Sequence, residues 1–197
     1  MRRVPTYYQD LIDIIGKNPG HVIGSTACLG GFIPTKLLQW EKNLSEEFYN
    51  KIVQWIFNMK DIFQGEFYLE LQPSASKEQT FVNRELINLS KITNTKYIIT
   101  TDSHYLRKED AKIHKAYLNS QDGDREVDSF YATTYMMNTE ELESYLLLSP
   151  EELSIAYENI IEIKNKCEDY SLLKPLRIPE LPWKSYPEDK EKITYYS

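Results

Sequence analysis

The chain alternates short apolar strands with amphipathic helices, and this order limits the fold more than any other feature of the sequence. Runs rich in β-branched and aromatic residues predict strands at residues 21–25, 67–71 and 97–101. Apolar side chains three and four positions apart predict helices that begin near Pro34, Ser45, Ser76 and Lys108. Repeated strand–helix pairs are typical of parallel β/α units, which form an open sheet or part of a barrel.

The final part of the sequence predicts helices and then an extended tail. Gly123 falls in a polar loop, residues 135–137 form a brief extended piece, and a short helix covers residues 139–147. A second helix begins at Ser149, and Cys167 lies on its apolar stripe, where we expect it to pack as a small hydrophobe. Four prolines then exclude a helix. We therefore predict one α/β domain over residues 1–172 and a proline-rich extended tail over residues 173–197.

Composition and charge exclude several classes of protein. The apolar runs are too short to cross a bilayer and no basic-then-apolar leader opens the chain, so we expect a soluble, cytoplasmic protein without a membrane partner. Two cysteines do not make a disulfide framework. A net charge of -7, without a long basic run, predicts that the chain does not grip DNA phosphates by itself.

Asp102 and His104 follow the third strand directly and are the first candidate for a functional site. If the extended geometry persists to His104, both side chains lie on one face. In parallel β/α folds, ligands gather at the carboxyl ends of the strands. A carboxylate and an imidazole there predict half of a divalent-metal site. The alternative is that Asp102 caps the following helix while His104 packs or faces water.

Three further side chains deserve the same comparison of alternatives. Cys28 follows the first strand in a glycine-closed turn, where it is either a zinc-binding thiolate or a small hydrophobe. Glu70 lies mid-strand between apolar neighbours, so it needs a cation, a metal or hydrogen-bond donors nearby, unless it forms a strand-end salt bridge. His114 lies off the centre of a buried stripe defined by Ile113 and Leu118, which favours a structural role.

Several segments of the sequence resemble one protein family, in the family's order and spacing. Residues 20–34, GHVIGSTACLGGFIP, resemble its "GLIALSACLGGEIP", and residues 67–72, FYLELQ, match its "FYLELQ". Val82-Asn83 and Leu86 are similar to its "VN..L", and residues 101–114 are similar to its "TNDxHYL..EDA..H". The family is the PHP (polymerase and histidinol phosphatase) domain of bacterial and phage DNA polymerase III alpha subunits. The resemblance runs from about Arg3 to Pro182.

The resemblance implies the C-terminal part of a distorted (β/α)7 barrel, that is its last strands and helices, with a helical C-terminal portion and an extended tail. It also implies that Cys28, Asp102 and His104 are ligands of a divalent metal, either zinc, manganese or magnesium. We expect Glu70 and His114 beside these ligands rather than on the metal. The family is one of DNA-directed DNA polymerases (nucleotidyltransferases), but we assign no catalytic residue to this chain.

The sequence departs from the family because the family's His-x-His strand and its polymerase aspartate cluster are missing. Cys28, Asp102 and His104 are too few ligands for a several-metal cluster, so we expect an incomplete site. The first hypothesis is a structural piece of a replicative polymerase, whose missing PHP half and polymerase core are other chains or absent. Such a piece reaches DNA only through the larger polymerase. The alternatives are a stand-alone metal-dependent phosphoesterase and a metal-free interaction module.

Overall fold

The chain divides into two compact units, Met1–Lys166 and Cys167–Ser197. A computed structural model describes residues 7–120, 131–171 and 173. All helices and strands of the described residues lie in the first unit, and the described residues of the second form neither. The predicted loop at Gly123 and nearly all of the predicted tail over residues 173–197 lie outside the described residues.

The order of elements in the first unit is the predicted alternation of strands and helices. The strands are β1 (Gly24–Ser25), β2 (Phe67–Leu71) and β3 (Tyr97–Ile99). The helices of the described residues are α1 (Tyr8–Lys17), α2 (Phe32–Glu41), α3 (Glu46–Ile62), α4 (Lys77–Thr93), α5 (Ala111–Asn119), α6 (Thr139–Leu146) and α7 (Pro150–Lys166). Short 3-10 turns cover Lys108–Asp110 and Tyr131–Thr133.

Local signals in the sequence explain where the long helices begin. The Ser45 hydroxyl accepts a hydrogen bond from the Phe48 backbone N–H at the start of α3, and the Ser76 hydroxyl accepts one from Gln79 at the start of α4. Both serines are N-caps, which satisfy backbone donors that a helix start leaves free. The predicted helix starts at these two serines are therefore confirmed.

The three strands form one parallel sheet in the order β1-β2-β3. Gly24 pairs with Phe67, and Leu69 and Leu71 pair with Tyr97 and Ile99. The predicted α/β class and parallel sheet are thus confirmed. β3 ends at Ile99, two residues earlier than expected, and the backbone enters the left-handed region at Asp102, with φ at 46°.

The core lies on both faces of β2, whose side chains are buried except for Glu70. On one face the Phe67 ring contacts the rings of Trp55 and Phe63 of α3. On the other, the Tyr68 hydroxyl reaches Glu162 of α7. A strand covered on both faces reads as a continuous apolar run, which is the pattern of residues 67–71.

Two packing predictions are wrong. Ile113 is 62% exposed and α5 has no buried residue, so the predicted buried stripe of that helix does not form. Cys167 is exposed because α7 ends one residue before it, at Lys166. Among the described residues, no helix has the length and apolar character that crossing a membrane requires.

Candidate functional site

The carboxyl ends of the three parallel strands lie side by side and bring separate parts of the sequence together. Ser25 ends β1, Leu71 ends β2, and Thr100 follows β3 and still donates its backbone N–H to Leu71 O, at 3.0 Å. This is the sheet edge at which β/α folds place ligands. Cys28, Glu70, Asp102 and His104 come from the segments that reach this edge or directly follow it, and His114 lies on α5.

Glu70 is held by neutral hydrogen-bond donors at the carboxyl ends of all three strands. Its carboxylate accepts from Ser25 Oγ at 2.6 Å, from Thr100 Oγ1 at 2.5 Å and from Gln72 Nε2 at 3.0 Å. Its backbone N–H donates to Thr26 Oγ1 at 2.9 Å. Of the partners considered for Glu70, a cation, a metal, hydrogen-bond donors or a salt bridge, the structure shows the donors, and within the described residues the carboxylate forms no ion pair.

A buried amide network supports this edge from α4. Asn83 Oδ1 accepts from Gln79 Nε2 at 2.9 Å and from the Gln72 backbone N–H at 3.2 Å, while Asn83 Nδ2 donates to Gln72 O at 2.8 Å. Asn83, which Gln79 holds in place, therefore fixes the backbone of Gln72, whose side chain reaches Glu70. Sequence reasoning did not assign Gln72 and Gln79 to the site. The sequence signal that could have revealed this network is the pair of amide side chains, Gln79 and Asn83, on the buried side of an amphipathic helix.

The side chains of Asp102 and His104 lie close together, but not on one extended strand as the sequence suggested. The strand does not continue to His104, because Asp102 takes the left-handed conformation. The turn nevertheless places His104 Nε2 3.6 Å from Asp102 Oδ1, with side chains 38% and 32% exposed. This distance exceeds a hydrogen bond and leaves an electrostatic contact. Asp102 does not cap the next helix. The N-cap of the following 3-10 turn is Arg107, whose backbone N–H donates to the Asp110 carboxylate.

His114 joins this pair through a cluster of aromatic rings. Its ring centroid lies 5.5 Å from that of His104, 5.0 Å from that of Tyr131 and 5.4 Å from that of Tyr105. Burial, and then the nearby His104, lower the pKa of His114 below its usual value. The two tyrosines were missed because the 15 tyrosines of the chain are scattered and were interpreted as packing residues.

Cys28 lies in a tight turn after β1 and is half-buried. The Gly31 N–H donates to Cys28 O at 2.7 Å and closes this turn. Within the described residues, no three His, Cys, Asp or Glu side chains form a group that could hold a metal ion. The structure thus brings Asp102, His104 and His114 together but does not add Cys28 to them as a metal-holding group. A two-ligand pair falls short of the three or four ligands of a protein zinc site, so these residues do not fit a complete metal centre.

The fold and this edge define a class: an α/β unit with a parallel sheet and a polar cluster at the carboxyl ends of its strands. Over 190 residues, the chain is 36% identical to "Probable DNA polymerase YorL" of Bacillus subtilis (strain 168) and equally to the "DNA-directed DNA polymerase" of Bacillus phage SPbeta. Each alignment covers 92% of this chain and 15% of the relative. Over 178 residues it is 32% identical to "DNA polymerase III subunit alpha" of Borreliella burgdorferi, covering 86% of this chain and 14% of the relative.

These relatives show that most of the chain is homologous to a segment of phage and bacterial proteins named as DNA polymerases. The chain spans about 15% of the length of the curated relatives that it matches first. No family model matches the sequence.

Proposed function

We propose that this chain is the C-terminal part of a PHP domain and works within a replicative DNA polymerase III alpha-type protein. The observation that carries the proposal is the 36% identity to two proteins named as DNA polymerases over 92% of the chain. The parallel sheet supports it, because the last strands of a β/α barrel would form such a sheet. Bacterial replication takes place in the cytoplasm, where we expect the chain to act.

A mainly structural role agrees best with the chemistry of the sheet edge. Glu70, the carboxylate that lies among the strand ends, is engaged by three neutral donors. A carboxylate held in this way stabilises the strand ends, whereas hydrolysis of a phosphate ester by two metal ions needs ligands free to clamp them. We therefore assign Glu70 to positioning the strand ends, and we assign no catalytic residue.

The two outer strands give a reason why a partner would be needed. Within the described residues, β1 and β3 each pair with β2 alone, so each has an outer edge without a strand. Free strand edges invite pairing with other chains. We propose that the rest of the barrel, on another chain or another part of the same protein, covers these edges. DNA would then be reached only through the larger polymerase.

Asp102 and His104 would supply two ligands to a divalent metal within that assembly. The missing ligands would come from the partner, which agrees with the lack of a complete group among the described residues. Metal analysis of the isolated chain and of the complex tests this. We expect zinc or manganese to be retained in the complex and lost in Asp102→Ala/His104→Ala. A complex that holds no metal would favour the metal-free interaction module.

Co-expression tests the structural proposal directly. The tagged chain is produced together with the part of the phage SPbeta relative that lies outside the aligned region, and co-elution is measured by affinity and size-exclusion chromatography. We expect a one-to-one complex, and no complex with an unrelated β/α protein of similar size. The proposal is wrong if the isolated chain stays a monomer beside that segment and shows robust polymerase or nuclease activity alone.

The cluster of Asp102, His104 and His114 is the observation that favours a stand-alone phosphoesterase as the second candidate. Hydrolysis of p-nitrophenyl phosphate by the manganese-loaded chain discriminates between the two. The phosphoesterase candidate requires a rate well above that of the Asp102→Ala/His104→Ala variant. Equal rates would remove it and leave the structural role.

A further inference from the structure

Three aromatic side chains, one each from α1, α2 and α3, form an exposed surface where these helices meet. The Phe32 and Trp55 rings stack with their centroids 4.8 Å apart, and Trp55 Nε1 donates to the Tyr8 hydroxyl at 3.0 Å. Phe32 and Tyr8 nevertheless remain 47% and 54% exposed. We call these three side chains the aromatic platform. Because they are held in place by one another and still face solvent, they can receive an apolar group of a partner.

Lys36 lies beside the aromatic platform and is half-buried. Its Nζ lies 5.6 Å from the centre of the Phe32 ring and 5.9 Å from that of Phe48, so the rings attract the charge without neutralising it. In the part of the chain that the structure describes, no carboxylate forms an ion pair with Lys36. Lys36 Nζ donates to Gln39 Oε1 at 3.0 Å. Since an ammonium has three donors, it can still donate to an incoming carboxylate.

A cavity of about 420 Å³ adjoins Lys36, because Gln39 and Phe48, which contact this lysine, also line the cavity. The lining residues are Gln39, Asn43, Ser45, Glu47, Phe48 and Lys51. Glu47 pairs with Lys51 at 2.7 Å, so the acidic residue of the lining already has a cation. The two side-chain amides of the lining can donate and accept hydrogen bonds as a peptide backbone does. The cavity therefore suits a length of polypeptide.

We propose that the aromatic platform, Lys36 and this cavity dock a peptide segment of a partner protein in which a carboxylate follows an aromatic side chain. The aromatic side chain packs on Phe32, the carboxylate accepts from Lys36 Nζ, and the peptide backbone binds the amides of the cavity. Charge complementarity determines the occupant, because a cation among exposed rings needs an anion that a purely apolar partner does not supply. The proposal does not depend on a polymerase role, since none of these residues belongs to the strand-end site.

Titration of the full chain with a defined peptide tests the docking surface. The probe is a fluorescein-labelled glycine–serine peptide with one phenylalanine followed by one aspartate, and binding is measured by fluorescence anisotropy. We expect saturable binding, and an affinity at least about tenfold weaker in Lys36→Gln, a loss equivalent to about 1.4 kcal/mol. Lys36→Arg keeps the charge and should keep most of the affinity. Lys91→Gln, which removes an exposed lysine from α4, is the matched control and should bind as the unchanged chain does.

Changes in the peptide test the same contacts on the unchanged chain, so the test does not rest on a variant that fails to fold. Asparagine in place of aspartate should weaken binding as much as Lys36→Gln does, and combining the two changes should weaken it no further. Alanine in place of phenylalanine should also weaken it. Absence of saturable binding, or equal affinities of Lys36→Gln and Lys91→Gln, overturns the proposal. Self-association of the chain that Phe32→Ala abolishes, measured by sedimentation, would assign the surface to a second copy and also overturn it.

Discussion

Gly31 shows how a single residue fixes the turn that carries Cys28. A Cβ atom at position 31 would overlap the carbonyl oxygen of Thr26 and lie 2.9 Å from that of Cys28. Both neighbours are backbone atoms, which cannot rotate away as a side chain can. The turn therefore requires the close backbone approach that only glycine allows. Gly30, the adjacent glycine, has no such contact, since its Cβ would come no nearer than 3.8 Å to the Cys28 thiol.

We expect Gly31→Ala to destabilise the chain by about 2–4 kcal/mol, because the turn must open and β1 must shift away from β2. The measurement is the free energy of unfolding in urea. Gly30→Ala is the matched control and should change it by less than about 0.5 kcal/mol. Equal effects of the two substitutions would show that this turn does not depend on close packing at position 31.

Asn83 is the residue on which the buried amide network depends. It is 2% exposed and makes hydrogen bonds with Gln72 and Gln79. Asn83→Ala leaves the Gln72 backbone groups and the Gln79 amide buried without partners, so we expect a loss of about 2–3 kcal/mol in urea unfolding. Asn88→Ala removes one hydrogen bond to Glu85 from the same helix and should cost less than about 1 kcal/mol. If Asn83→Ala also costs less than about 1 kcal/mol, the buried amide network does not contribute to stability as expected.

At the scale of elements, a group of charges anchors the end of α7 to β2. Lys166 donates to Glu66 at 2.7 Å, to Glu162 at 2.7 Å and to the Tyr68 hydroxyl at 3.3 Å. Lys96 pairs with Glu162 as well. Hydrogen bonds from Lys166 and Lys96 lower the pKa of Glu162 to about 2, and the Glu162 contact raises the pKa of Lys166.

This anchor predicts a pH dependence of stability. The pKa of Glu162 is lower in the folded chain than its ordinary value of 4.5, so its ionised form stabilises the fold above that pH. The stabilisation is lost as the pH falls from about 4.5 to about 2, and it is modest because the side chain is partly exposed. In Glu162→Gln, unfolding free energies between pH 7 and 3 should fall less steeply. Glu158→Gln, on the same helix, should leave the slope unchanged.

The sequence predicted the type and order of the elements well where local signals were strong. The serine N-caps and the run at residues 67–71 give helices and a buried strand within a residue or two of their observed bounds. The predicted buried stripe of α5 was wrong, because an apolar residue such as Ile113 is buried only if a neighbouring element covers it. The sequence also placed Cys167 inside a helix that ends at Lys166, because periodicity alone does not reveal a helix end.

The site was predicted as a set of residues but not as a geometry. Spacing suggested that Asp102 and His104 meet, and they do, through a left-handed turn that spacing does not reveal. The donors to Glu70 come from the three segments that include residues 25, 72 and 100, and only strand pairing determines that they converge. Long-range contacts of this kind depend on strand register, which a single sequence specifies only weakly.

For the whole molecule, burial predicts an order of local stability. β2 is buried except for Glu70 and α4 has seven buried residues, whereas α5 has none. Hydrogen exchange at pH 7 should therefore be slowest for amides of β2 and α4 and at least about a hundredfold faster in α5, since few contacts oppose local opening there. Mass spectrometry of peptides from these elements measures this order. Uniform protection across the three would contradict it.

The left-handed backbone at Asp102 has a consequence for how a protein of this kind changes over time. Asparagine adopts that conformation as readily as aspartate, because its short polar side chain makes similar local hydrogen bonds. One substitution at this position can therefore abolish the negative charge while the loop keeps its path. Charge and backbone path are separable here, so a descendant can lose this carboxylate without first becoming unstable.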